Sequence, residues 1–187
     1  MIKNGNGQHL LEHWHIERNG GNEFKTEDSP QGCGPLPLGV PEFQGHKSCF
    51  VTSYELCKKY QKIEISPKCL MYYIIQKYKP HIYVSEWFCG RFDCACYYKL
   101  AVVANVGSLN EKKAATWTKF VNAHIAQWAN PEWEKVEFVW TDYPNHLINL
   151  YFIHEGKDKQ FWAGHYGSKF AGGVMKFLFD TIKPISN

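Results

Sequence analysis

Five consecutive residues late in this 187-residue chain, Gln160-Phe161-Trp162-Ala163-Gly164, set two neighbouring aromatic rings beside a small residue and a glycine. A pyranose has one apolar C–H face and a rim of hydroxyls. Its binding site therefore needs a flat aromatic surface with one or two charged or amide groups nearby. A tight loop between strands that carries Phe161 and Trp162 meets the first of these needs. Trp162 would serve equally well to anchor the loop in a core, and the residue types alone leave both roles open.

Other chemical combinations lead less far. Cys94 and Cys96, with Cys89 nearby, have the spacing that puts two thiols on one face of a strand, but no tetrahedral partners accompany them. The sequence therefore predicts neither metal nor cofactor. His13, His15 and His124 are scattered and pair with no recognisable nucleophile. Glycoside hydrolysis needs two carboxyl groups at a set separation. Asp93 with Glu155 or Asp158 would have to supply them, and nothing in the pattern pairs them. The expectation is a binding protein and not an enzyme.

Such a loop needs a scaffold to hold it. With 7 Trp, 11 Tyr and 12 Phe, aromatic residues make up 16% of the chain, a share that suits pleated sheets and fills a β core. Hydrophobic residues at 44% and charged residues at 21% are an ordinary globular balance for one domain. The Gly/Asn-rich start predicts a flexible lead-in over residues 1–8, with a single domain over 9–187. Net charge is +3, and the doublets Lys58-Lys59 and Lys112-Lys113 are too short for a nucleic-acid footprint. No stretch is apolar enough to span a bilayer, and the start lacks a signal-peptide pattern. Seven cysteines, an odd number, and the lack of any Asn-x-Ser/Thr acceptor favour a reducing, cytoplasmic setting.

Alternation and turn signals predict many short strands. Candidates are 9–17, 49–53, 61–66, 81–88, 96–104, 133–140, 147–154 and 174–179. Within 134–140 the inward set is Val136, Phe138 and Trp140. Residues 147–152 are apolar on both faces except at Asn149, as in a central strand. Residues 68–79, ending before Pro80, have helical spacing. Residues 111–128 present Trp117, Val121, His124 or Ile125, and Trp128 on one helical stripe, so a surface helix competes there with a loop. Four prolines and four glycines within 29–45 predict a long surface loop. The sum is an all-β fold, an antiparallel β-sandwich or jelly roll with one or two short helices.

Three stretches carry a resemblance to a known family: CFVTSYELCKKYQKI from Cys49, WFCGRFDCACYYKL from Trp87, and WEKVEFVWTDYP followed by LYFIHEGKDKQFWAGHYGSK from Trp133 to Lys169. Together with HWHIERNGG near the start, they resemble the F-box-associated domain of the glycoprotein-binding F-box proteins. These 187 residues include no F-box, as expected either of a piece cut at the linker after an F-box or of a chain that resembles the family's F-box-less type, the nonspecific cytotoxic cell receptor proteins. The resemblance implies a galactose-binding-domain-like sandwich of about ten strands. It further implies loops that grip the inner chitobiose of high-mannose N-glycans on unfolded glycoproteins in the cytosol. The family's aromatic pair falls on Phe161 and Trp162, with the Trp stacking on an N-acetylglucosamine ring. Its other aromatic falls on Tyr54 and its sugar-binding aspartate on Asp93. An ion pair with Arg91 or a turn cap is an equal use for Asp93.

The chain departs from the family pattern at several points. Ala163 stands where many relatives have a lysine, and Phe161 lacks a phenolic hydroxyl. One hydrogen bond is worth roughly 0.5–1.5 kcal/mol, so each loss costs up to about tenfold in affinity. Lys169 stands where many relatives have an arginine. These departures support an alternative, a protein-interaction module of the same fold that has lost glycan binding. Binding to the SCF adaptor is expected only where an F-box lies upstream.

Overall fold

The computed structural model describes residues 2–106, 115–129 and 131–179. In chain order the strands are β1 (His15–Asn19), β2 (Lys25–Glu27), β3 (Cys49–Val51), β4 (Cys57–Glu64), β5 (His81–Cys89), β6 (Cys96–Val106), β7 (Ala115–Ile125), β8 (Glu134–Trp140), β9 (Leu147–Asp158) and β10 (Lys169–Leu178). They form two five-stranded sheets, β1-β4-β9-β6-β7 and β2-β3-β10-β5-β8, and the strand pairings are antiparallel. The sandwich expected from the alternating pattern is therefore present. One helix, α1 (Leu70–Tyr78), buries Ile75 and stops at Lys79, whose left-handed φ of 46° precedes Pro80.

Period-two patterning explains the core. Tyr98, Leu100, Val102 and Ala104 alternate inward along β6, facing Leu150, Phe152 and His154 of β9 and Phe50 and Phe170 of the other sheet. Leu147, Leu150 and Phe152 are fully buried because β9 runs centrally between β4 and β6. Of the inward set on β8, Trp140 is buried, while Val136 and Phe138 are half-buried.

Several expectations are corrected. The 111–128 region is not a helix where it is described: residues 115–125 form β7, which pairs in register with β6 as an edge strand, and residues 126–128 turn into the β7–β8 loop. Val121, Ala123 and Ile125 turn toward the core and Asn122 and His124 outward. The small Ala123 hides this alternation, and the apolar spacing at 121, 125 and 128 imitates a helix. Residues 111–114 lie outside the described residues. The first strand starts at His15 rather than His9. Residues 2–8 are not a free lead-in. Asn4 is buried and its Nδ2 donates to the carbonyls of Leu10 and Glu12, while Trp14 Nε1 donates to Asn4 O at 3.0 Å. Asn6 is buried too and receives the Gly172 N–H at 2.9 Å. The proline-rich stretch is irregular apart from a 3₁₀ turn at Pro41–Phe43, but Leu36 and Phe43 pack with Cys49, Cys89 and Trp133 in a second core.

The lysine doublet has an unexpected place. Lys59 points inward from β4 and is fully buried, its ammonium 3.2 Å from the Trp14 ring centroid and 3.3 Å from that of Phe50, with no hydrogen-bond partner. Glu86 of β5 is buried in the same core. It accepts from the Tyr98 hydroxyl at 2.6 Å. His154 Nε2 comes within 2.8 Å of Glu86 Oε1, but without hydrogen-bond geometry, so the approach is an electrostatic contact. Burial raises the Glu86 carboxyl from its ordinary 4.5 to about 8, against the lowering influence of the Tyr98 hydroxyl and Lys59. Burial likewise pushes the Lys59 amine and the His154 imidazole well below their ordinary ranges.

Between about pH 5 and 8 the folded protein keeps a Glu86 proton that the unfolded chain has released. The Glu86 contribution to stability is thus present below its unfolded value and lost as pH rises through the folded one. Lys59 and His154, both depressed, contribute in the opposite sense, and without the Glu86 charge the Lys59 amine is depressed further, which adds to the same trend. Glu86→Gln should gain on the parent with rising pH, by on the order of 1 kcal/mol per unit across that window. Urea unfolding at stepped pH checks this, and parallel stability profiles would contradict it.

Candidate functional site

The loop after β9 is built from its first residue. Asp158 closes the strand, is 1% exposed, and its own N–H donates to Ser53 O at 3.0 Å. Its carboxylate then accepts the Phe161 N–H at 2.7 Å and the Trp162 N–H at 3.2 Å. A buried carboxylate that captures two N–H groups ahead of it forces the chain into a tight turn. Phe161 takes a left-handed φ of 60° inside that turn. Gly164 follows with φ of 124°, where a Cβ would meet the Tyr166 ring at 2.8 Å, so glycine is required.

The β1–β2 and β3–β4 loops hold the far side. Asn22 Oδ1 accepts the Gly164 N–H at 2.7 Å, and the Ser53 hydroxyl donates to Gly164 O at 2.7 Å while accepting the Asn22 N–H at 2.8 Å. His165 Nε2 lies 3.1 Å from Asn22 O. With its backbone fixed at both ends, the loop presents its rings outward: Phe161 is 67% exposed and Trp162 40%. The reading in which Trp162 is sunk in the core is thereby removed.

The structure brings the four sequence-predicted residues to one end of the sandwich. Tyr54 meets Phe161 edge-on at 4.9 Å between centroids. Trp162 meets Tyr166 at 5.7 Å and 89°. The Arg91 guanidinium lies over the Tyr166 ring at 4.6 Å and donates from Nε and Nη2 to the two Asp93 oxygens, each at 2.9 Å. The Arg91 partner holds the Asp93 carboxyl below its ordinary range. The ion pair therefore exists, and it leaves capacity over, since a carboxylate offers about four acceptor positions. The surface combines apolar ring faces, an ionised acceptor and a donor fork, which is the set of groups that a ring with one apolar face and hydroxyl edges requires.

Sequence reasoning missed Arg91, Tyr166, Asn22 and Ser53 as parts of this framework. Arg91-x-Asp93 was legible as a pair, but nothing local joins Asn22 to a loop 142 residues later. The carboxylates once considered for hydrolysis are otherwise engaged: Asp158 holds the loop N–H groups, and Glu155 lies 3.4 Å from Lys99 and 3.7 Å from Lys58. Lys169, the departure from arginine, is buried and paired with Glu27 at 2.7 Å. Among the described residues no three His, Cys, Asp or Glu side chains gather as a metal site, and no helix is long and apolar enough to cross a membrane.

Residues 1–177 match the model of the F-box associated region. The chain is 33% identical to F-box only protein 6 of Bos taurus, over 90% of this chain and 61% of that protein. It is 33% identical to F-box only protein 27 of Mus musculus, over 90% and 56%, and 30% identical to F-box only protein 44 of Homo sapiens, over 90% and 64%. It thus spans roughly 60% of the length of these relatives, in line with the shares covered. Among solved structures, a cyclase from Fischerella sp. superposes over 94% of both chains with a TM-score of 0.51 at 12% identity. The enzymatically active domain of a bacteriophage tailspike protein superposes over 95% of this chain and 21% of its own, with a TM-score of 0.52 at 11% identity. These two likenesses concern the fold alone.

The loop's dependence on one carboxylate is testable without any ligand. Asp158→Ala leaves two N–H groups without their charged acceptor and should destabilise the domain by roughly 2–4 kcal/mol, with the loop loosened first. Urea unfolding and amide exchange at Phe161 and Trp162 measure both effects. Unchanged stability with unchanged exchange would show that the loop is held by other means.

Proposed function

The chain belongs to the F-box associated family, and from that membership and its outward-facing aromatic loop we propose that it is a carbohydrate-binding module. The observation that carries the reading is the adjacent exposed pair, Phe161 and Trp162, on a backbone fixed by buried Asp158. Large rings kept in water by a rigid support gain nothing for the fold and are available to a partner. Trp162 supplies the stacking face, Phe161 and Tyr54 its flank, and Asp93 accepts from hydroxyls at the rim.

The finer proposal is that the ligand is the chitobiose core of high-mannose N-glycans, read on unfolded glycoproteins in the cytoplasm as part of their quality control and degradation. In this proposal glycoproteins are the partners, and the SCF adaptor joins only where an F-box lies upstream of this domain. Affinity should be modest, on the order of micromolar to sub-millimolar, since few groups grip a polar ligand and Ala163 adds no donor. A second reading, a protein-interaction module without glycan binding, draws on Ala163 and on the engagement of Asp93 by Arg91.

Trp162→Ala separates these readings. Because Trp162 is partly exposed, its removal should change stability by no more than about 1 kcal/mol. It should abolish binding to di-N-acetylchitobiose in calorimetry. Fully buried Phe152 is the contrast, and Phe152→Ala should cost roughly 3–5 kcal/mol, or about 2–4 °C of melting temperature per kcal/mol. Unfolding of Trp162→Ala would make the loop structural. No binding by the parent chain at millimolar sugar would favour the protein-interaction reading.

A further inference from the structure

A second exposed aromatic pair stands at the same end of the sandwich, outside the site described. Phe92 in the β5–β6 loop is 49% exposed and Trp128 in the β7–β8 loop 72%, with ring centroids 6.3 Å apart. The two loops are fastened together: the Trp128 N–H donates to Phe92 O at 2.8 Å, Gln127 Nε2 to Asp93 O at 3.0 Å, and the Phe92 N–H to Gly32 O at 2.9 Å. Trp128 is held at a φ of 63°, a left-handed conformation that a bulky residue adopts only against resistance. A strained backbone that keeps a large ring in water points to a use for the ring outside the fold.

Two observations say what that use is. Phe92 lies between Arg91 and Asp93, whose ion pair leads through Tyr166 to Trp162, so both aromatic pairs share one framework. The loops that carry Phe92 and Trp128 also border a cavity of about 200 Å³ whose lining includes His124, Ala126, Ala129, Glu132 and Glu134. That is smaller than the roughly 300–1,000 Å³ of pockets for whole drug-sized ligands, so it has room for one ring and not an oligosaccharide. The carboxylates and imidazole of that lining provide acceptors and a donor for hydroxyls, while Phe92 and Trp128 stand on the loops at its border.

We propose that Phe92, Trp128 and this cavity form a second carbohydrate subsite, which takes one further pyranose of the same oligosaccharide that lies on Phe161 and Trp162. The proposal rests on the carbohydrate reading above and lengthens its ligand beyond a disaccharide.

Calorimetry with two probes tests it: di-N-acetylchitobiose, and a high-mannose oligosaccharide built on that disaccharide. Trp128→Ala should leave the disaccharide affinity unchanged and weaken the longer probe by roughly three- to tenfold. Trp128→Phe should restore most of the loss, and Trp162→Ala should abolish both affinities. Thermal melts confirm that each variant folds. If Trp128→Ala changes neither affinity, or lowers both alike, the subsite is overturned while the Trp162 site stands. Loss of binding to an intact glycoprotein but not to the free oligosaccharide would assign the pair to polypeptide and also overturn it. If the parent binds neither probe, the underlying carbohydrate reading fails and the subsite falls with it.

Discussion

The Asp158 carboxylate is where scaffold becomes site. Its backbone belongs to β9, the central strand of one sheet, and its side chain governs the first turn of the loop that follows. Because it is buried, its bonds to the Phe161 and Trp162 N–H groups face little competition from water. Because those N–H groups are adjacent, fixing them fixes the directions in which two successive rings leave the chain. Ser53 ties the same point to β3, receiving the Asp158 N–H on its carbonyl and reaching Gly164 through its hydroxyl. Placing the aromatic surface therefore costs the loop little flexibility, and a ligand meets a surface already ordered.

The scaffold under this site has an unusual interior. A lysine, a glutamate and a histidine are fully buried between the two sheets, and only the glutamate–tyrosine contact is a well-formed hydrogen bond among them. The ammonium of Lys59 sits instead against aromatic faces, which offer it the negative side of their quadrupoles. Such groups stabilise a fold less than apolar side chains of equal volume would, but they make alternative packings costly. The His154 ring of one sheet meets Phe50 and Phe170 of the other edge to face, so these rings fix the two sheets against each other.

Much of the fold was legible because strand alternation is a local signal. The strands over 81–89, 96–106, 134–140 and 147–158, and the helix before Pro80, carry that signal in their own residues. The 111–128 region misled because Ala123 is too small to mark the inward face, and only the register against β6 reveals it. The N-terminal segment misled because its glycines and asparagines look mobile, whereas Asn4 is spent on the nearby Leu10 and Glu12 carbonyls and Asn6 on the N–H of Gly172, 166 residues along the chain. In the site, Phe161 and Trp162 were visible from their types, and Tyr54 and Asp93 from family resemblance. Arg91, Tyr166 and Asn22 were not visible as a framework, because their roles depend on contacts between distant loops, such as the Gly164–Asn22 bond across 142 residues and the Arg91–Tyr166 contact. Lys58-Lys59 shows the same limit: the sequence gives two equal charges, and the fold buries one of them completely.

The most direct test of sugar stacking at this loop is a titration of ¹⁵N-labelled protein with di-N-acetylchitobiose, following the indole N–H resonances of the seven tryptophans. Trp14 and Trp133 serve as internal references, since their indoles donate to Asn4 O and Gly34 O within the fold. The account predicts that the Trp162 indole and the amides of Phe161, Tyr54 and Asp93 shift together along one saturable isotherm, with both references unmoved. Saturable shifts centred elsewhere, or none at millimolar sugar, would contradict it.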